Sequence, residues 1–137
     1  MISANNPNLK SWIPVEKNSD FPIQNIPFGI AKINGKKVGV SRIGDTVINL
    51  SILFDSGAFE GIITQNHFNK NTLNNFLELD KKTWRSVRNK ISEIFTNKMD
   101  DSLQKKCLSH ISNVCMEMPV EIGDYTDFYS SRQHAYN

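Results

Sequence analysis

The chain is 137 residues long, 39% hydrophobic and 22% charged, a balance that excludes wholesale disorder and suits one domain rather than two full-sized ones. Sixteen basic against fourteen acidic residues leave a net charge of +2, too small to point to nucleic acid or an anionic membrane as partner. No uninterrupted apolar run approaches the ~20 residues of a membrane helix.

The N-terminus, Met1-Ile2-Ser3-Ala4-Asn5-Asn6-Pro7, lacks a basic segment followed by an apolar one, and the first arginine is Arg42. Neither a secretory signal nor an Arg-rich transit peptide is expected, so the expected compartment is the cytoplasm. Cys107 and Cys115 match neither C-x-x-C nor a zinc spacing, and are expected as two reduced, buried thiols. Residues 1–27 hold Pro7, Pro14, Pro22 and Pro27, which predicts an extended, proline-rich arm with turns. The apolar residues between the prolines (Trp12, Ile13, Val15, Phe21, Ile23, Ile26) predict that the arm lies against a surface.

A β-meander is expected next. Residues 28–33, 38–43 and 46–50 read as strands, separated by Asn34-Gly35, a strong hairpin turn, and by Gly44-Asp45. Helices follow. Ser51 is a plausible cap for a short helix through Phe54, and Asn71 for one over residues 72–79 with Leu73, Phe76 and Leu77 on one face. Asp80 or Thr83 opens the clearest helix, with Trp84, Val87, Ile91, Ile94 and Phe95 at helical spacing. Another is expected from Asp100 or Asp101 to about Cys107, then a strand over residues 113–118 before Pro119. The basic run Lys81, Lys82, Arg85, Arg88, Lys90 reads as a solvated helix face rather than a phosphate patch. His67 and His110 have no partner at ligand spacing and read as surface or hydrogen-bonded structural residues.

The chemistry is concentrated at the end, where Asp124, Tyr125, Asp127, Tyr129, Arg132, His134 and Tyr136 crowd together. Such a cluster can supply a hard-metal ligand, phenolic hydrogen bonds, an anion clamp and a proton acceptor. Ser130 or Ser131 is placed to cap a short helix whose first turn holds Arg132 and His134, bringing carboxylate, phenol and imidazole towards one mouth.

The run Ile122-Gly123-Asp124-Tyr125-Thr126-Asp127-Phe128-Tyr129-Ser130-Ser131-Arg132-Gln133-His134-Ala135 resembles the active-site motif of the fumarylacetoacetase family. Trp12-Ile13-Pro14-Val15, the stretch from Ser19-Asp20-Phe21-Pro22 to Gly29, and Asn71-Thr72-Leu73-Asn74-Asn75-Phe76 are similar to other parts of the same family, so the resemblance spans essentially the whole chain. It implies an α+β, mainly β fold: an SH3-like small β-barrel domain over residues 1–118, then residues 119–137 as the unanchored start of a catalytic domain. It implies hydrolysis of a carbon–carbon bond in 4-fumarylacetoacetate, giving fumarate and acetoacetate in the last step of tyrosine and phenylalanine breakdown.

Carried over residue by residue, the resemblance makes Asp127 a ligand of a divalent cation (Ca²⁺, or Mg²⁺), Tyr129 a hydrogen-bonding contact to substrate, and His134 the general base. Arg132 receives only a supporting role. The remaining carboxylates and the glutamate that orients the histidine belong to a part of the family's enzyme outside these residues, as does its homodimer interface. The chain is therefore expected to be the N-terminal portion of such an enzyme, inactive and without tight cation binding by itself. The other reading weighed is a non-catalytic SH3-like interaction or regulatory module.

Overall fold

The computed structural model describes residues 3–137. A 3-10 turn, Ser3–Asn5, is followed by irregular backbone, then β1 (Gly29–Ile33), β2 (Lys36–Ile43) and β3 (Thr46–Asn49). Helices α1 (Leu50–Asp55), α2 (Asn74–Leu77), α3 (Lys81–Thr96) and α4 (Asp101–Cys107) come next. β4 (Leu108–His110), a 3-10 turn (Ile111–Asn113), β5 (Cys115–Glu117) and α5 (Arg132–Tyr136) complete the order. Among the described residues no helix is long and apolar enough to cross a membrane.

All five strands form one antiparallel sheet in the order β4-β3-β2-β1-β5. Asn34 (φ 49°) and Gly35 (φ 82°) both take positive φ, which makes the two-residue hairpin whose twist suits the flanking strands. The architecture is thus α+β with an open sheet: among the described residues β4 and β5 do not pair with each other, so hydrogen bonds do not close it into a barrel. It is nevertheless strongly coiled. Edges four strand spacings apart would lie roughly 19 Å from each other in a flat sheet, yet only Ile111–Asn113 and Val114 separate β4 from β5. That turn diverts the chain from one edge to the other in place of a hydrogen-bonded closure.

Alternation along the strands gives the sheet two apolar faces. Ala31, Val40 and Val47 form a small cluster with Ile33 and Val38, sealed by Ile111 and Val114 from the bridging turn. Ile30, Ile43 and Ile48 face the main core, which also takes Leu50 and Leu53 of α1, Phe76 of α2 and Val87, Ile91 and Phe95 of α3. Phe28, Phe59, Phe68 and Phe76 meet there with ring centroids 4.9–6.5 Å apart.

The N-terminal segment is held on α3 by both apolar contact and hydrogen bonds. Ile13, Ile23 and Ile26 are buried, and the Trp12 ring stacks on Phe95 at 5.7 Å. The Trp12 amide donates to the Phe95 carbonyl (3.1 Å), the Ala4 amide to Asn89 Oδ1 (3.3 Å), and Arg88 to Gln24 O and Asn5 Oδ1.

Helix starts differ in detail from expectation. Asp80 caps α3, accepting from the Lys82 and Thr83 amides at 2.7 and 3.0 Å. For α1 the cap is Asn49, accepting from the Ile52 amide, and not Ser51. α2 begins three residues after Asn71, behind Leu73, whose apolar side chain has no acceptor to cap it; the Leu73 amide itself donates to the Pro119 carbonyl (2.7 Å). Cys107 is buried as expected, but Cys115 is exposed: it sits on the edge strand β5, where no further element covers it.

Candidate functional site

The folded body ends at a clamp. Asn74 on α2 donates through Nδ2 to the Glu121 carbonyl (3.0 Å) and accepts through Oδ1 from the Glu121 amide (2.9 Å), so one side-chain amide imitates a neighbouring strand. Beyond the clamp every residue to Asn137 is exposed. The motif therefore leaves the body from a fixed point and presents its side chains to solvent, Tyr125, Phe128, Tyr129 and Tyr136 each at least 70% exposed. A cleft of about 800 Å³ between the N-terminal 3-10 turn and α3, with Asn6, Asn89 and Glu93 in its walls, shares no residue with this segment.

Within the segment one local structure forms. Ser131 adopts an extended conformation and its Oγ accepts the His134 amide at 3.1 Å, which satisfies one of the orphan donors of α5. Of the two candidate serines, the structure thus selects Ser131. The turn carries the His134 ring back against Tyr129, edge to face, with centroids 5.0 Å apart and planes at 85°. On α5 itself the Arg132 guanidinium lies 5.5 Å from the centre of the Tyr136 ring, an i, i+4 cation–π pair.

Phenol and imidazole are thus brought together. Asp127 is on the same segment, but its Oδ1 accepts the Phe128 amide (2.8 Å), and no hydrogen bond or ion pair joins it to Tyr129 or His134. Among the described residues no group of three or more His, Cys, Asp or Glu converges to hold a metal. A single carboxylate is a fitting hard-oxygen ligand for Ca²⁺, which takes about 6–8 oxygens in all. The Asn74–Glu121 clamp escaped the sequence reading, since nothing local marks an asparagine whose partner lies 47 positions away.

Comparison with known proteins bears on the sequence. The family model described as Fumarylacetoacetase N-terminal matches residues 24–119. Curated relatives named Fumarylacetoacetase include one from Homo sapiens, 42% identical over 139 residues, and one from Dictyostelium discoideum, 41% identical over 138. Another, from Arabidopsis thaliana, is 37% identical over 138 residues. These alignments cover 93–94% of this chain and 32–33% of the relatives, so the chain spans about a third of their length. With a family match over residues 24–119 and relatives near 40% identity over 93–94% of its length, the chain belongs to the fumarylacetoacetase N-terminal family.

Proposed function

We propose that the chain serves as the N-terminal portion of a fumarylacetoacetase, an enzyme of tyrosine and phenylalanine breakdown that hydrolyses a carbon–carbon bond of 4-fumarylacetoacetate. The observation that carries this reading is the match to curated fumarylacetoacetases over 94% of the chain, and the contact between Tyr129 and His134 in the exposed motif accompanies it. His134 is read as the general base, taking a proton from water at an imidazole nitrogen as the water attacks the substrate carbonyl. The Tyr129 hydroxyl is read as a donor to a substrate oxygen, holding the carbonyl beside that water. Asp127 offers an exposed carboxylate oxygen to a divalent cation, Ca²⁺ or Mg²⁺. A cation held there would supply Lewis acidity to the substrate's carbonyl oxygens.

Two structural readings accompany the functional one. The coiled sheet, with edge strands joined by a single 3-10 turn, supports an SH3-like small barrel, and the burial of Ile13, Ile23 and Ile26 supports the proline-rich arm expected over residues 1–27. The boundary near residue 118 between a body domain and the start of a catalytic one is supported by the change to full exposure just past Glu121. The homodimer of the complete enzyme and its cytoplasmic location are part of the same reading.

A chimera tests it: these 137 residues replace the corresponding third of the Dictyostelium enzyme. The chimera should hydrolyse fumarylacetoacetate, and His134→Ala should lower kcat at least about 10²-fold, the usual contribution of a general base. The 137-residue chain by itself should show no turnover, because its described residues offer too few oxygens for a calcium site and no carboxylate to fix the His134 tautomer. An active chimera indifferent to His134→Ala would remove the assignment of the base.

A further inference from the structure

We propose that Ser131 is a positioning residue for His134: its cap closes the turn that docks the imidazole against Tyr129, preforming that half of the site before any other part is in place.

The geometry is local and self-contained. Ser131 Oγ accepts from the His134 amide at 3.1 Å, and two backbone bonds continue the turn, from the Ala135 amide to the Ser131 carbonyl (3.1 Å) and from the Asn137 amide to the Gln133 carbonyl (3.1 Å). A helix of five residues is far below the length that sustains itself by propagation, so its first orphan amides decide whether it forms. The amide held by Ser131 is that of the histidine itself, so the cap fixes the backbone from which the ring projects. Tyr129 then meets that ring from two residues before the cap, at 5.0 Å and 85°. No residue of the folded body takes part: every member is exposed and lies beyond the Asn74–Glu121 clamp. The turn is therefore a preorganised element, and holding a base near its productive geometry is a recognised source of rate. The catalytic consequence rests on the reading of His134 as general base; the structural part does not.

The experiment uses the 137-residue chain in solution, with NMR of the His134 ring. In the natural chain the imidazole carbon-bound proton shifts should differ from those of an unstructured peptide, because the Tyr129 ring lies against it. Ser131→Ala should move them most of the way to the unstructured values, with about a fivefold loss in the ordered population, the size of losing one N-cap. Ser131→Thr, which keeps the accepting oxygen, should restore them, and Tyr129→Leu should abolish the shift while leaving the His134 amide protected. Sheet amides serve as the folding control and should be unchanged in all three. Ring shifts unmoved by Ser131→Ala, or not restored by Ser131→Thr, would overturn the positioning role.

In the chimera, Ser131→Ala should lower kcat about fivefold with KM little changed, and Ser131→Thr should recover it. Loss of the ring shifts with kcat unchanged would overturn the catalytic part of the proposal. An active chimera in which His134→Ala also has no effect would overturn the base assignment instead, leaving the solution measurement to judge the turn.

Discussion

Cys107 and Cys115 lie close in sequence but in opposite surroundings. Cys107 is enclosed by the core, its Sγ 3.7 Å from Met99 Sδ, and burial pushes its thiol up to about 11. At pH 8 roughly one molecule in a thousand would carry the thiolate there, and access is blocked as well. Cys115 faces solvent from the edge strand. A thiol-reactive disulfide reagent should therefore modify one cysteine per native chain quickly, and the second only in denaturant; mass spectrometry of the fast product should find Cys115. Asp80 shows the reverse kind of shift. Hydrogen bonds from the Thr83 hydroxyl and amide, with a further one from the Lys82 amide, hold its carboxyl below the ordinary carboxylate range. A folded value below the unfolded one means that the cap contributes fully above the unfolded value and is lost as pH falls through the folded one. Thermal unfolding should accordingly show α3 losing stability below about pH 4, and Asp80→Asn, which still caps, should flatten that dependence.

At the scale of the elements, β2 and the loop before α2 meet at unusually short range. The Gly39 amide donates to the Phe68 carbonyl at 2.6 Å, and a side chain at position 39 would place its first carbon 2.8 Å from Phe68 Cδ1 and 2.9 Å from its Cβ. Phe68 is fully buried and touches three other rings, so it has nowhere to retreat. Gly39→Val should cost about 3 kcal/mol or more by overpacking, although valine favours strands; urea unfolding measures it. The elements also show what the sequence made legible. The meander was readable because Asn34-Gly35 carries its own conformational preference, and α3 because Val87, Ile91 and Phe95 recur at helical spacing behind a capping aspartate. β4 was missed because Leu108–His110 is three residues without a period, a strand only because β3 lies beside it. The start of α2 was misplaced because Leu73, the residue before it, has an apolar side chain with no acceptor to mark it as a cap. In the motif, Asp127, Tyr129 and His134 were legible as residue types, whereas the Tyr129–His134 contact depends on which of two adjacent serines caps, a choice composition does not make.

The whole molecule divides into a body whose stability is internal and a segment that contributes none to it. Among the described residues, 122–137 make no hydrogen bond to the body and are all exposed, so their removal should leave the thermal midpoint within about 1 °C, the effect of trimming an exposed terminus. Removing residues 119–137 instead deletes the Pro119 carbonyl that receives Leu73 and the Glu121 backbone that satisfies both ends of Asn74. At about 1 kcal/mol per hydrogen bond, that deletion should lower the midpoint by several degrees, and differential scanning calorimetry of the two truncations separates the cases. The same division explains how a site can be present as chemistry and incomplete as geometry. Burial, which fixes side chains elsewhere in the chain, is absent where the motif lies, and a cap, an edge contact and a cation–π pair are what order it.

The docking of the N-terminal segment on α3 has a consequence in time. Trp12 finds its backbone and stacking partner only at Phe95, 83 positions later. At a synthesis rate of about 5–20 residues per second, the segment waits roughly 4–17 seconds on the ribosome with Trp12, Ile13, Ile23 and Ile26 uncovered. The strand order lengthens the wait, since β1 has one neighbour in β2 but receives the other, β5, near the end of the body. The nascent chain thus exposes for seconds a stretch that the finished protein hides, and that interval is when a chaperone for apolar segments would meet it.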